Sequence, residues 1–123
     1  MLHLKKSLII ILCFICFVGC ASNKESSINY VQAKEKIINE GAILLDVRST
    51  SEYNEEHIGE AVNIPVDEIT ENSVKSLVNS VDDVIIVYCQ NGIRSAEAMK
   101  KLNDLGYTRV YDLGAMSNWK EKK

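Results

Sequence analysis

Histidine occurs twice, tryptophan and proline once each, and cysteine four times in 123 residues. Three of the cysteines, Cys13, Cys16 and Cys20, fall near the start of the chain, so Cys89 is the single thiol beyond them. One cysteine builds neither a disulfide framework nor a thiolate metal cluster, and a domain without a Cys-x-x-Cys pair has no internal dithiol exchange. His57 is likewise the one histidine beyond His3, which argues against a His-built metal site. No metal and no organic cofactor is therefore expected. The chain also lacks a basic stripe: its formal net charge is −3, with 17 acidic against 14 basic residues, two of the latter being Lys5 and Lys6. Such a balance suits no nucleic-acid partner. Neither an internal repeat nor a low-complexity tract is visible, and the length fits one domain with extras.

No apolar run reaches the ~20 residues that cross a bilayer as a helix. The longest, Ser7 to Val18 with Leu8-Ile9-Ile10-Ile11-Leu12 inside it, follows Lys5 and Lys6. A basic start and a short apolar stretch make an export signal. The sequence Phe17-Val18-Gly19-Cys20-Ala21-Ser22 that ends it resembles a bacterial lipobox, with Phe17 where Leu is usual. That resemblance implies diacylation of Cys20 and cleavage before it. The expected division is a lipoprotein signal peptide over 1–19, a lipidated Cys20 with a polar tether over 20–27, and a folded domain over 28–121. The protein would then be held on the extracytoplasmic face of the cell membrane, since diacylglycerol supplies the two chains that stable anchoring requires. Two other readings stay open. Gly19-Cys20-Ala21 is also a small-x-small site, whose cleavage after Ala21 gives a soluble secreted or periplasmic protein. An uncleaved segment would be a marginal anchor.

Beyond the tether, apolar patterning alternates between two periods. Asn29 is suited to cap a helix in which Tyr30, Ala33 and Ile37 share a face, and Gly41 to end it. The continuous apolar run Ala42 to Val47 reads as a strand buried on both faces. Ser51 to His57 reads as a short polar helix, and Ala61 to Ile64 as an extended piece stopped by Pro65. Val74, Leu77, Val78 and Val81 recur at i, i+3, i+4 and i+7, which predicts an amphipathic helix. After a turn at Asp82-Asp83 come a strand over Val84 to Tyr88, a helix burying Ala98, Leu102 and Leu105 up to Gly106, and a short strand over Thr108 to Tyr111. Strands alternating with helices imply a mainly parallel sheet covered on both sides, with sites at the carboxyl ends of its strands.

Cys89 occupies one such end. The segment Cys89-Gln90-Asn91-Gly92-Ile93-Arg94-Ser95 places a thiol between a buried-looking strand and a helix start. Loop N–H groups and a helix N-terminus that converge on a sulfur favour negative charge there, which makes a nucleophile at neutral pH. Arg94 adds a fixed positive charge with a planar fork of donors, either to touch substrate or, facing away, to tie down the loop. A lone cysteine at a strand end is also a common small core hydrophobe; the glycine and arginine within five positions, and the helix after them, favour the nucleophile. Cys89 is thus the candidate catalytic residue, and Gln90, Asn91, Gly92, Ile93, Arg94 and Ser95 the candidate substrate-binding cradle. Asp46, Arg48 and His57 are candidate supporting residues, with scaffold roles favoured over catalysis, and Trp119 a candidate packing anchor.

With these residues in view, the chain resembles the rhodanese-like family. Leu44-Leu45-Asp46-Val47-Arg48, Glu52-Tyr53, His57-Ile58 and Ala61-Val62-Asn63-Ile64-Pro65 resemble its first half. Cys89 to Ser95, Leu105-Gly106-Tyr107, Tyr111 to Met116 and Trp119 resemble its second. The resemblance implies a single α/β domain with a central, mostly parallel five-stranded sheet and helices on both faces. It implies a sulfurtransferase of the thiosulfate:cyanide type, with sulfane sulfur carried as a persulfide on Cys89. Its partners would be a small sulfur-containing anion as donor and a thiol, cyanide or protein as acceptor. The spacing Cys-x4-Arg is the family's sulfurtransferase loop length, whereas cysteine phosphatases and arsenate reductases of related folds prefer Cys-x5-Arg. A membrane-tethered module that keeps the fold without turnover is the alternative from another class. Gly59-Glu60-Ala61 and Gly114-Ala115-Met116 depart from the family's usual x-Gly-Ala and Gly-Gly-Met, both outside the cradle.

Overall fold

The computed structural model describes residues 26–121. The expected signal peptide, Cys20 and most of the tether lie outside the described residues. Helix α1 (Tyr30–Glu40) starts at a capping box, in which the Asn29 side chain accepts from the Gln32 N–H and the Gln32 side chain accepts from the Asn29 N–H. Gly41, at φ +65°, ends it in the left-handed conformation that a side chain would resist. Strand β1 (Ile43–Asp46), helix α2 (Thr50–Glu55), strand β2 (Val62–Asn63), helix α3 (Glu71–Lys75), strand β3 (Ile85–Cys89), helix α4 (Ile93–Asp104) and strand β4 (Val110–Ala115) follow.

The strands form one parallel sheet in the order β2-β1-β3-β4. Successive side chains of β1 and β3 point to opposite faces, and both faces are covered, which is why these runs are continuously apolar. On one face Leu45, Val47, Ile85, Val87 and Cys89 pack with Val74 of α3 and with Ala98 and Leu102 of α4. On the other, Leu44, Ile86 and Tyr88 pack with Ala33 of α1, Ile58 and Leu113. Trp119 is a packing anchor here, edge-on to Tyr30 with ring centroids 4.8 Å apart.

The structure corrects four expectations. The sheet among the described residues has four strands, not five: outside β4 there is a single bridge, Ser27 to Asp112, where two short polar side chains offer the sheet little to bury. The helix expected through Val81 ends at Lys75. Leu77 and Val78 still pack against the core, but Val81 is 51% exposed. The Asp83 carboxylate accepts the N–H groups of Asn79 and Ser80, so the backbone there has a partner other than a helix. Leu105 lies past the end of α4 and is exposed on the surface rather than buried. The last strand runs over Val110–Ala115 rather than 108–111, with a register shift opposite Val87 and Tyr88.

Candidate active site

The carboxyl ends of β1 and β3 meet at the centre of the sheet and bring together most of the residues singled out from sequence. Cys89 ends β3 and is fully buried. Its Sγ accepts two backbone hydrogen bonds, from the Gly92 N–H at 3.0 Å and the Ser95 N–H at 3.3 Å. Gly92 makes this possible. It is the N-cap of α4 at φ +92°, where the left-handed conformation turns the first N–H groups of the helix back toward the sulfur. A Cβ at Gly92 would sit in ordinary contact with the backbone of Gly114 and Ala115 at 3.8 Å, so the dihedral rather than space selects glycine. The Asn91 side chain accepts from the Ile93 N–H, and the Ser95 hydroxyl donates to the Gly92 carbonyl, fixing the loop from both ends. The N–H groups of Gln90, Asn91 and Arg94 have no acceptor among the described residues.

Arg94 is held by an acid. Its Nη1 and Nη2 donate to Glu52 Oε1 and Oε2 at 2.8 and 3.0 Å, a fork-to-fork pair that ties α4 to α2. Both side chains are about one-third exposed, at 33% and 34%. The pair draws the Glu52 carboxyl down from 4.5 to about 2, chiefly through the Arg94 hydrogen bonds. Arg94 is held further up in turn, first by Glu52 and also by the nearby Cys89 sulfur.

Asp46 and Arg48 form the floor. Arg48 Nε lies 3.0 and 3.1 Å from the two Asp46 oxygens and Nη2 lies 2.7 Å from Oδ2, with the carboxylate fully buried and the guanidinium 4% exposed. The remaining Arg48 donors go to both walls of the cleft: Nη2 to the Glu56 carbonyl at 2.6 Å and Nη1 to the Gln90 side chain at 3.3 Å. Asn63 donates to the carbonyls of Asp46 and Arg48 from β2. His57 is exposed and packs on Tyr53. Its ring stacks on Tyr53 at 3.9 Å, with Nδ1 2.9 Å from the Tyr53 carbonyl, while the Tyr53 hydroxyl donates to the Ala61 carbonyl. Among the described residues, no three His, Cys, Asp or Glu side chains converge as metal ligands would.

Two members of this arrangement were missed from sequence, Glu52 as the partner of Arg94 and Tyr88. The Tyr88 hydroxyl donates to Asp46 Oδ2 at 2.7 Å and accepts from the Ile58 N–H at 3.0 Å, and burial pushes its phenol up. A tyrosine inside an aliphatic strand was the available signal, because a buried phenol needs a partner.

The family model described as Rhodanese-like domain matches residues 30–122. The chain belongs to this family. Among curated proteins, this rhodanese-like chain is 35% identical over 74 residues to thiosulfate sulfurtransferase PspE of Escherichia coli, covering 60% of this chain and 70% of that one. It is 31% identical over 94 residues to thiosulfate sulfurtransferase GlpE of Coxiella burnetii, covering 76% and 85%. Among solved structures it superposes on the "rhodanese with anions from E. coli" with a TM-score of 0.59 and 34% identity, over 63% of this chain and 89% of the other. A human single-domain sulfurtransferase superposes with a TM-score of 0.67 at 27% identity, over 80% and 97%. In this rhodanese-like domain the loop from Gln90 to Ser95 wraps the Cys89 sulfur with the Gly92 and Ser95 N–H groups, and the Asp46–Arg48–Tyr88 network is joined to it through Arg48 and Gln90.

Proposed function

We propose that this domain is a sulfurtransferase that carries sulfane sulfur as a persulfide on Cys89. The observation that carries the reading is the cradle itself: one thiol, two N–H groups already on its sulfur, and three further N–H groups of the same loop without an acceptor among the described residues. The names of the related thiosulfate sulfurtransferases support thiosulfate as a donor. The Cys89 thiolate attacks the outer sulfur of thiosulfate; the S–S bond of the donor breaks, sulfite leaves with the electron pair, and Cys–S–S⁻ remains. The loop N–H groups stabilise the charge on the outer sulfur, and the helix start of α4 adds its dipole. Attack on that sulfur by cyanide or a thiol gives thiocyanate or a new persulfide and restores the Cys89 thiolate. The N–H groups of the loop from Gln90 to Ser95 bind the donor, the Arg94 side chain ties that loop to α2 through Glu52, and Asp46, Arg48 and His57 hold the frame.

The test is to mix the full chain with thiosulfate, weigh the intact protein, then add cyanide and follow thiocyanate. A gain of one sulfur atom followed by thiocyanate formation is expected. One observation favours a second reading: Cys89 is fully buried. A tethered module without turnover would keep the cradle closed, and neither sulfur gain nor thiocyanate would then appear with any sulfane donor.

We also propose that the domain works at the outer face of the cell membrane, on a diacylated Cys20. This rests on the basic and apolar start of the chain and on Gly19-Cys20. Expression in a bacterium fed labelled palmitate is expected to label the protein in the membrane fraction. The Cys20→Ser chain should carry no label; label retained there would sink the proposal.

A further inference from the structure

Both guanidinium groups beside the cradle are engaged by carboxylates. Arg48 is held by buried Asp46, and Arg94 is held in a fork by Glu52. A groove of about 430 Å³ opens beside Gln90, walled by Glu56, His57, Trp119 and Glu121 among others, with no lysine or arginine in its lining. Among the described residues the cradle therefore offers N–H dipoles to one negatively charged sulfur, while the two arginines beside it are each held by a carboxylate rather than turned to a second anionic group. Sulfane donors differ at that second position. Thiosulfate is a dianion with a sulfonate behind its outer sulfur, whereas an organic thiosulfonate or an uncharged carrier's persulfide is a monoanion.

We propose that Glu52 is a specificity-determining residue that sets this site for sulfane donors of single negative charge, by holding the Arg94 guanidinium against α2. The inference rests on the sulfur-transfer reading above. Glu52 acts twice: its carboxylate repels a dianion, and its fork keeps the Arg94 guanidinium from turning to it. The Arg94 fork holds the Glu52 carboxyl down at about 2, so the restraint persists at neutral pH.

The test compares thiosulfate with benzenethiosulfonate in the full chain, with cyanide as acceptor and initial rates taken across donor concentration. Both donors lose one sulfur to Cys89, leaving sulfite or benzenesulfinate. Glu52→Gln is expected to raise kcat/KM for thiosulfate about three- to fivefold, the strength of one partly exposed charge pair, through KM. The rise for benzenethiosulfonate should stay below about twofold, since it carries half the charge. Adding Arg94→Gln to Glu52→Gln should remove most of the gain. Should Glu52→Gln fail to fold, Glu52→Asp, too short to hold the fork, should shift the donor ratio in the same direction by less. An equal change for both donors, a fall for thiosulfate, or a gain that survives Arg94→Gln would overturn the inference. If the unaltered protein takes sulfur from neither donor, the sulfur-transfer reading falls and this inference with it. Sulfur uptake with an unchanged donor ratio overturns this inference alone.

Discussion

Replacing Cys89 with serine is expected to abolish persulfide formation and reduce thiocyanate production at least about 10⁴-fold, as removal of an essential nucleophile does elsewhere. The fold should survive. A serine hydroxyl occupies nearly the volume of the thiol and accepts hydrogen bonds, so the N–H groups of Gly92 and Ser95 keep a partner at the end of β3. The melting temperature should therefore stay within a few degrees, because substitutions that preserve volume and pairing cost little. That combination is diagnostic. A cysteine serving only as core filler would give a small stability change and no chemical one, and a persulfide cannot form on oxygen. Thiocyanate production that persists in the Cys89→Ser protein would show that the sulfur does not travel through this residue. The intact mass gives an independent reading, since a sulfur gain by the variant would locate the nucleophile elsewhere.

How far the sequence foretold this site depends on the distance over which each partner acts. The cradle was legible because its parts are contiguous: strand, cysteine, glycine and helix follow one another over Val84 to Ala98, and each carries its own local signal. Helix α1 was legible for the same reason, with Asn29 and Gly41 marking its ends. The helix expected through Val81 failed because four apolar residues at helical spacing describe a face without showing that a helix bears it. There the Asp83 carboxylate offered the backbone an alternative. The fork between Arg94 and Glu52 joins residues 42 positions apart, as does the bond between Tyr88 and Asp46. No periodicity encodes such a pairing; it exists only once the parallel register places Asp46 beside Tyr88 and sets α2 against the start of α4. The sequence left open whether Arg94 touches substrate or ties down the loop, because the acid that pairs with it is brought by the fold and not by the local sequence.

The same network sets the largest expected loss of stability. Asp46→Asn keeps the shape of the side chain but removes the buried carboxylate paired with the Arg48 guanidinium, which is 4% exposed. Removing one partner of a buried ion pair leaves the other's charge without compensation and costs about 3–5 kcal/mol. For a domain of this size that corresponds to a fall in melting temperature of about 15–30 °C. Tyr88→Phe is expected to cost less, about 1–3 kcal/mol, because it removes one hydroxyl from Asp46 and leaves one buried N–H, that of Ile58, without an acceptor. Calorimetric melting of both variants beside the unaltered chain would rank them. Asp46→Asn melting within a few degrees of the unaltered protein would mean that the pair's desolvation already offsets its attraction and that Arg48 finds enough compensation in Glu56 and Gln90. The order matters for function as well as for stability. Arg48 alone bonds to β1, to the loop after α2 and to the residue next to Cys89 among the hydrogen-bonded side chains of the described residues. A domain that loses Asp46 should therefore slow sulfur uptake at temperatures well below its melting point, because the residue that begins the cradle is no longer held in place. Sulfur uptake at the unaltered rate in a folded Asp46→Asn protein would confine this network to stability alone.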